Sequence, residues 1–228
     1  MPTPMDEGVI KFTLEHQNHQ LHYSKEIEQQ LTELNFWRRR LFESDVIGCD
    51  LSRYGACYGN VSMRYCLPGS IEFSTEKVPG SRVFLITGTQ TGKIENLTSR
   101  YFARVYRYDL PKNKVWSEGP LEPSSESMTH GAAYDLNPDI KYVFHIHSPA
   151  LWQAAASFEI PVSSPQVLYG TPEMAAEVKR LFRHSALPEK KIFSMGGHED
   201  GLLAFGRVAA EVGSLLVDYL QKAAVSSK

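Results

Sequence analysis

The chain has 228 residues, a formal charge of −2, 42% hydrophobic and 22% charged residues, enough for one large domain with a sizeable core. That balance excludes a mainly electrostatic partner, whether nucleic acid or an anionic membrane. No apolar stretch approaches the ~20 residues of a membrane span, and Met1 to Lys11 lacks the apolar core of a secretory signal.

Residues 1–23 are polar and weakly patterned, with Pro2, Pro4, His16, His19 and His22, and are expected to form a loosely docked arm before a domain spanning 24–228. Ile27, Leu31, Leu34, Trp37 and Leu41 recur every three or four residues, predicting an amphipathic helix with Ser24 as its N-cap. Arg38 to Arg40 read as its solvated, cationic C-terminal end, and Gly48 closes the segment. From Tyr54 to Leu85 short alternating runs predict an antiparallel meander, with a turn at Leu67-Pro68-Gly69-Ser70. Cys49, Cys57 and Cys66 are odd in number and lack Cys-x-x-Cys spacing. They read as reduced thiols of a cytoplasmic protein, so the acceptor-like Asn60-Val61-Ser62 and Asn96-Leu97-Thr98 are treated as accidental.

Gly88-Thr89-Gln90-Thr91-Gly92-Lys93 has one spacer too few for a phosphate-binding P-loop, and Ile94 stands where a magnesium-binding hydroxyl belongs. A tight polar loop after a strand is expected instead, still able to present N–H groups to an anion. Val105 to Asp109 and Lys114 to Trp116 flank Leu110-Pro111-Lys112-Asn113, a hairpin. Ser124 or Ser125 caps a helix running to about Leu136, with Glu126 in its first turn, and Asn137-Pro138 stops it. In Lys141 to His147, strand alternation puts Tyr142, Phe144 and Ile146 on one buried face and His145 and His147 together on the other. A short Ala-rich helix then reaches about Phe158. Thr171-Pro172-Glu173 opens a helix with Met174, Val178, Leu181 and Phe182 inside. Ile192 to Met195 and Leu202 to Phe205 are strands around a glycine-flanked loop carrying His198, and Val208, Val212, Leu215, Leu216 and Tyr219 mark a terminal helix. The fold class is α/β, one domain with a mixed, mostly antiparallel sheet flanked by helices.

Alone, His-x-His describes surface histidines. With His198 as a third imidazole and Glu126 as a proton-moving group, it describes a catalytic divalent-metal site with an open position. Gly59-Asn60-Val61-Ser62, Ile86-Thr87-Gly88, Pro123-Ser124-Ser125-Glu126, His145-Ile146-His147, Gly170-Thr171-Pro172-Glu173 and the His198 loop occur in that order. In these motifs the chain, from about Gly55 to about Gly206, resembles the class II, metal-dependent aldolase/adducin family. The resemblance implies that His145, His147 and His198 hold a divalent metal, zinc first, with manganese, iron(II) or cobalt as alternatives. It implies that Glu126 is the general base and acid, and that Gly59, Asn60, Thr87, Gly88, Ser124 and Ser125 cradle a substrate phosphate. It also implies a homotetramer acting on a small molecule. The expected reaction is lyase chemistry on a sugar phosphate or related hydroxy-carbonyl compound. An epimerase, a dehydratase and a non-catalytic adducin-like interaction module are the alternatives. Two departures bear on the reaction. The family's aldolases carry a catalytic tyrosine a short, fixed distance beyond the second histidine. Here that offset holds Pro165, with Tyr169 close by, while Glu199 and Asp200 follow His198 where the aldolase has glycine.

Overall fold

The computed structural model describes residues 8–65 and 83–226. In chain order the elements are β1 (Thr13–Asn18), α1 (Lys25–Glu43), β2 (Gly48–Asp50), β3 (Ala56–Tyr58), β4 (Asn60–Arg64), β5 (Phe84–Thr87), β6 (Phe102–Asp109), β7 (Lys114–Gly119), α2 (Ser127–Leu136), β8 (Tyr142–His147), α3 (Pro149–Gln153), α4 (Pro172–His184), α5 (Leu187–Lys190), β9 (Ile192–Ser194), β10 (Gly201–Gly206) and α6 (Ala209–Ser226). Eight strands form one sheet in the order β1-β7-β6-β5-β4-β8-β10-β9, and β2 and β3 form a separate hairpin. Every pairing in the large sheet is antiparallel except β1 with β7. The expected α/β class with a mostly antiparallel sheet is what the chain adopts.

Two apolar layers sandwich the sheet. On one face, Leu31, Leu34 and Leu41 of α1 and Val212 and Leu216 of α6 form a cluster with Phe144 and Ile146 of β8. On the other, Met128, Ala132 and Ala133 of α2 and Met174, Val178 and Leu181 of α4 cover Phe84, Ile86 and Val143. β8 is therefore buried along its whole length, and neither of its faces is solvent-facing. Burial of this kind stabilises by ~25 cal/mol per Å² of apolar surface removed from water.

Several expectations change. The arm expected to be loosely docked contributes β1, an edge strand in parallel register with β7 from Thr13↔Lys114 to Asn18↔Gly119. Its polar, alternating side chains suit an edge strand, which has one side open to water. Ser24 does cap α1, accepting from the Ile27 N–H. Arg38, by contrast, is 1% exposed, because it falls on the same helical stripe as Leu34 and Leu41. α2 begins at Ser127 with Glu126 in the N-cap position, two residues later than a Ser124 cap predicts. Cys49 and Cys57 are disulfide-bonded rather than reduced. The cause is the β2–β3 register, which sets the two cysteines directly opposite one another, and it removes the thiol argument for a cytoplasmic location. Cys66 and the Leu67–Ser70 turn lie outside the described residues. Among the described residues no helix is long and apolar enough to cross a membrane.

Candidate metal centre and anion cradle

Strand register assembles the site. Asn60 of β4 and Leu203 of β10 both pair with His145 of β8, and Gly201 pairs with His147. His198 sits in the tight β9–β10 turn, its carbonyl accepting from the Gly201 N–H at 3.0 Å. Gly201 permits the approach: a Cβ there would lie 3.0 Å from His198 Nδ1 and 3.2 Å from His145 Cε1. The three imidazoles are all buried, and one ligand atom from each lies within 4.8 Å of the others. His145 and His147 bring their Nε2 atoms to 3.1 Å. His145 Nδ1 is 3.0 Å from the Leu202 carbonyl. A carbonyl only accepts, so Nδ1 carries the proton and Nε2 presents its lone pair toward the cluster, the arrangement that orients metal-binding histidines.

Glu126, at the head of α2, completes the group, with Oε1 3.2 Å from His198 Nδ1. Burial pushes its carboxyl up, but the His198 imidazole beside it, with His145 close by, outweighs that and holds the pKa at about 2. Burial, with His198 and His145 adding to it, drives His147 well below the usual imidazole range, so its ring stays neutral. Three buried imidazoles beside a buried carboxylate form a donor set that fits zinc or another borderline divalent ion.

A cavity of about 20 Å³ adjoins the cluster, lined in part by Gly59, Asn60, Gly88, Ser124 and Ser125. Five of the six expected cradle residues thus meet there. Thr87 does not line it, and its hydroxyl instead accepts from the Val61 N–H at 3.2 Å. The glycines act through packing. A Cβ on Gly88 would meet Leu121 at 2.8 Å, and Gly59 has φ +74° with Ile47 2.7 Å from where its Cβ would stand. The Gly88 N–H is already committed to the Tyr101 carbonyl. Ser124 and Ser125 stand just before α2, where the helix dipole favours an anion.

Residues beyond the predicted set also surround the histidines. Tyr54 and Tyr58 pack their rings 5.0 and 5.5 Å from His147. Tyr169, close to the aldolase tyrosine offset, stacks 4.4 Å from His198. Buried Asp200 accepts from Arg53 and from the Tyr54 hydroxyl, each at 2.7 Å, bracing the β2–β3 hairpin against His147; Glu199 is exposed. His130, one helical turn beyond Glu126, shares a 2.7 Å hydrogen bond with Ser62. Its i+4 spacing from Glu126 is the signal that could have marked it. Arg38 donates to the carbonyls of Ile94, Glu95, Thr91 and Gly92, fixing the loop that borders the cradle.

The sequence profile of the class II aldolase and adducin N-terminal domain matches residues 54–223. The chain belongs to that family. Solved structures agree on the fold. A sugar-phosphate aldolase from Thermotoga maritima superposes with TM-score 0.63 at 14% identity, covering 88% of this chain and 94% of the other. An L-fuculose-1-phosphate aldolase from Thermus thermophilus gives 0.56 at 19% identity, covering 85% and 90%. The N-terminal class II aldolase domain of a conserved protein from Thermoplasma acidophilum gives 0.59 at 14%, covering 93% and 99%. No curated protein is similar enough in sequence to match.

Proposed function

We propose that this chain is a divalent-metal-dependent lyase of the aldolase type, acting on a small sugar phosphate or a related hydroxy-carbonyl compound. The observation that carries the reading is the convergence of His145, His147 and His198 within 4.8 Å, with the Glu126 carboxylate 3.2 Å from His198, beside a polar cavity at a helix N-terminus. His145, His147 and His198 would hold a divalent ion, which when bound would supply Lewis-acid stabilisation of negative charge on a substrate oxygen. Breaking the C–C bond requires a hydroxyl proton to leave one fragment and a proton to reach the carbon of the other. Glu126, ionised and buried, is the group placed to take up the first and deliver the second, a contribution of typically ~10²–10⁴-fold. Ser124, Ser125 and Asn60 provide neutral polar groups for the phosphate. Gly88 lines the cavity beside them, and Thr87 supports that wall from behind through its hydrogen bond with Val61.

An epimerase or dehydratase would use the same groups, and Pro165 at the tyrosine offset keeps that reading as the second. A non-catalytic, adducin-like module has no use for a buried carboxylate among three imidazoles. We further propose a homotetramer. Incubating the zinc-loaded protein with a panel of ketose 1-phosphates tests the function: release of an aldehyde and a triose phosphate supports it, and a rearranged or dehydrated product with no cleavage moves the assignment to the second reading.

A further inference from the structure

The cavity among the cradle residues holds about 20 Å³, room for a water, whereas small-molecule sites occupy roughly 300–1,000 Å³. A phosphate group seated among these residues needs more room than the resting cavity gives. Most walls are fixed. The β2–β3 hairpin is closed by the Cys49–Cys57 disulfide, the loop at Thr91–Glu95 is held by Arg38, and Ser124 and Ser125 lead directly into α2. Of the other residues lining it, Gly59 and Asn60 stand at the head of strand β4 and Gly88 to Gln90 follow β5, and Gly8 alone comes from outside the family region at 54–223.

Gly8 lies against the cradle so closely that a Cβ on it would stand 2.6 Å from Gln90 Nε2 and 3.3 Å from Ala56 Cβ, at φ +74°. Gln90 Oε1 in turn accepts the Cys57 N–H at 3.1 Å, so the segment presses on the side chain that ties β3 to the cradle loop. Its attachments are light. The Val9 carbonyl accepts from the Tyr169 hydroxyl at 3.4 Å, and among the described residues no strand ladder includes Gly8–Ile10. Firm anchorage begins at Ile10, which packs against the apolar layer that holds Phe12 and Met174, and continues at Lys11, whose carbonyl accepts from Asn113 at 2.8 Å and whose ammonium sits 3.7 Å over the Tyr169 ring. Strand β1 follows.

We propose that Gly8–Val9 is a movable wall of the substrate site, pivoting at Ile10, which an entering phosphate ester displaces. The proposal rests on the anion-cradle reading for the nature of its ligand. Its mobility is independent of that reading.

Two variants test it: a chain beginning at Ile10, and Tyr169→Phe, which removes the hydrogen bond to Val9 without shortening the protein. Hydrogen exchange at the Cys57 amide reads the wall directly, with no ligand present. Expected are faster exchange in both variants, by roughly two- to tenfold in Tyr169→Phe, the equivalent of one ordinary hydrogen bond. Inorganic phosphate exchange, followed by phosphorus NMR, should quicken in the same order. Unchanged Cys57 exchange in both variants overturns the proposal. Faster amide exchange in proteins that bind no phosphate supports the movable wall and refutes the anion cradle, so the two readings fail separately. If the shortened chain does not fold, Tyr169→Phe decides alone.

Discussion

Replacing Arg38 by methionine keeps most of the apolar stem and removes every donor. Four carbonyls receive the guanidinium, but the Thr91 carbonyl also accepts the Ile94 N–H, so three lose their partner: those of Gly92, Ile94 and Glu95. The Gly92 bond is buried, and leaving that carbonyl unpaired costs about 2 kcal/mol; the Ile94 and Glu95 bonds are part-buried and cost about 1 kcal/mol each. Against this, burial pushes the Arg38 pKa from 12.5 down to about 10, a desolvation cost of about 3 kcal/mol that the substitution releases. Set against that release, the net loss is about 1 kcal/mol. Urea unfolding should show a midpoint lower by roughly 0.3–1 M, and phosphate should bind more weakly because the loop bordering the cradle is no longer held. Arg38→Lys, which keeps the charge but cannot reach four carbonyls at once, should fall between. A methionine variant that unfolds at the wild-type midpoint would refute the reasoning.

The remaining predictions are more direct. Glu126→Gln should lower turnover by ~10²–10⁴-fold with metal content unchanged by elemental analysis; an active variant removes Glu126 from the chemistry. Ser125→Ala should raise KM for a phosphorylated substrate and spare its unphosphorylated counterpart, and an equal effect on both would discredit the cradle. Burial holds His130 at about 3, from 6.5 in the unfolded chain, so the unfolded state takes up the proton first as pH falls. His130 therefore withdraws stability below pH ~6.5, by about 1.4 kcal/mol per pH unit. His130→Gln should show a shallower fall in urea midpoint between pH ~6.5 and pH ~4.5; parallel curves would contradict the assignment.

Periodicity made the central parts legible. The spacing from Ile27 to Leu41 marked α1, and alternation along Tyr142–His147 marked β8 with its paired imidazoles. What it hid depends on contacts between distant segments. The Cys49–Cys57 bond follows from hairpin register, which the spacing of the two cysteines does not declare. Arg38 looked solvated because it heads a run of three arginines, although its helical phase with Leu34 and Leu41 already placed it inside. β1 was missed because a polar edge strand carries little hydrophobic signal. Tyr54 and Tyr169 reach the histidines, and Asp200 reaches Tyr54, only through the tertiary fold.

The most direct test is a zinc titration of the metal-depleted protein beside His198→Ala, followed by calorimetry and elemental analysis. About one ion per chain in the wild type, with affinity sharply reduced in the variant, is the predicted result. Equal binding by both proteins, or none by the wild type, would contradict a metal centre built from His145, His147 and His198.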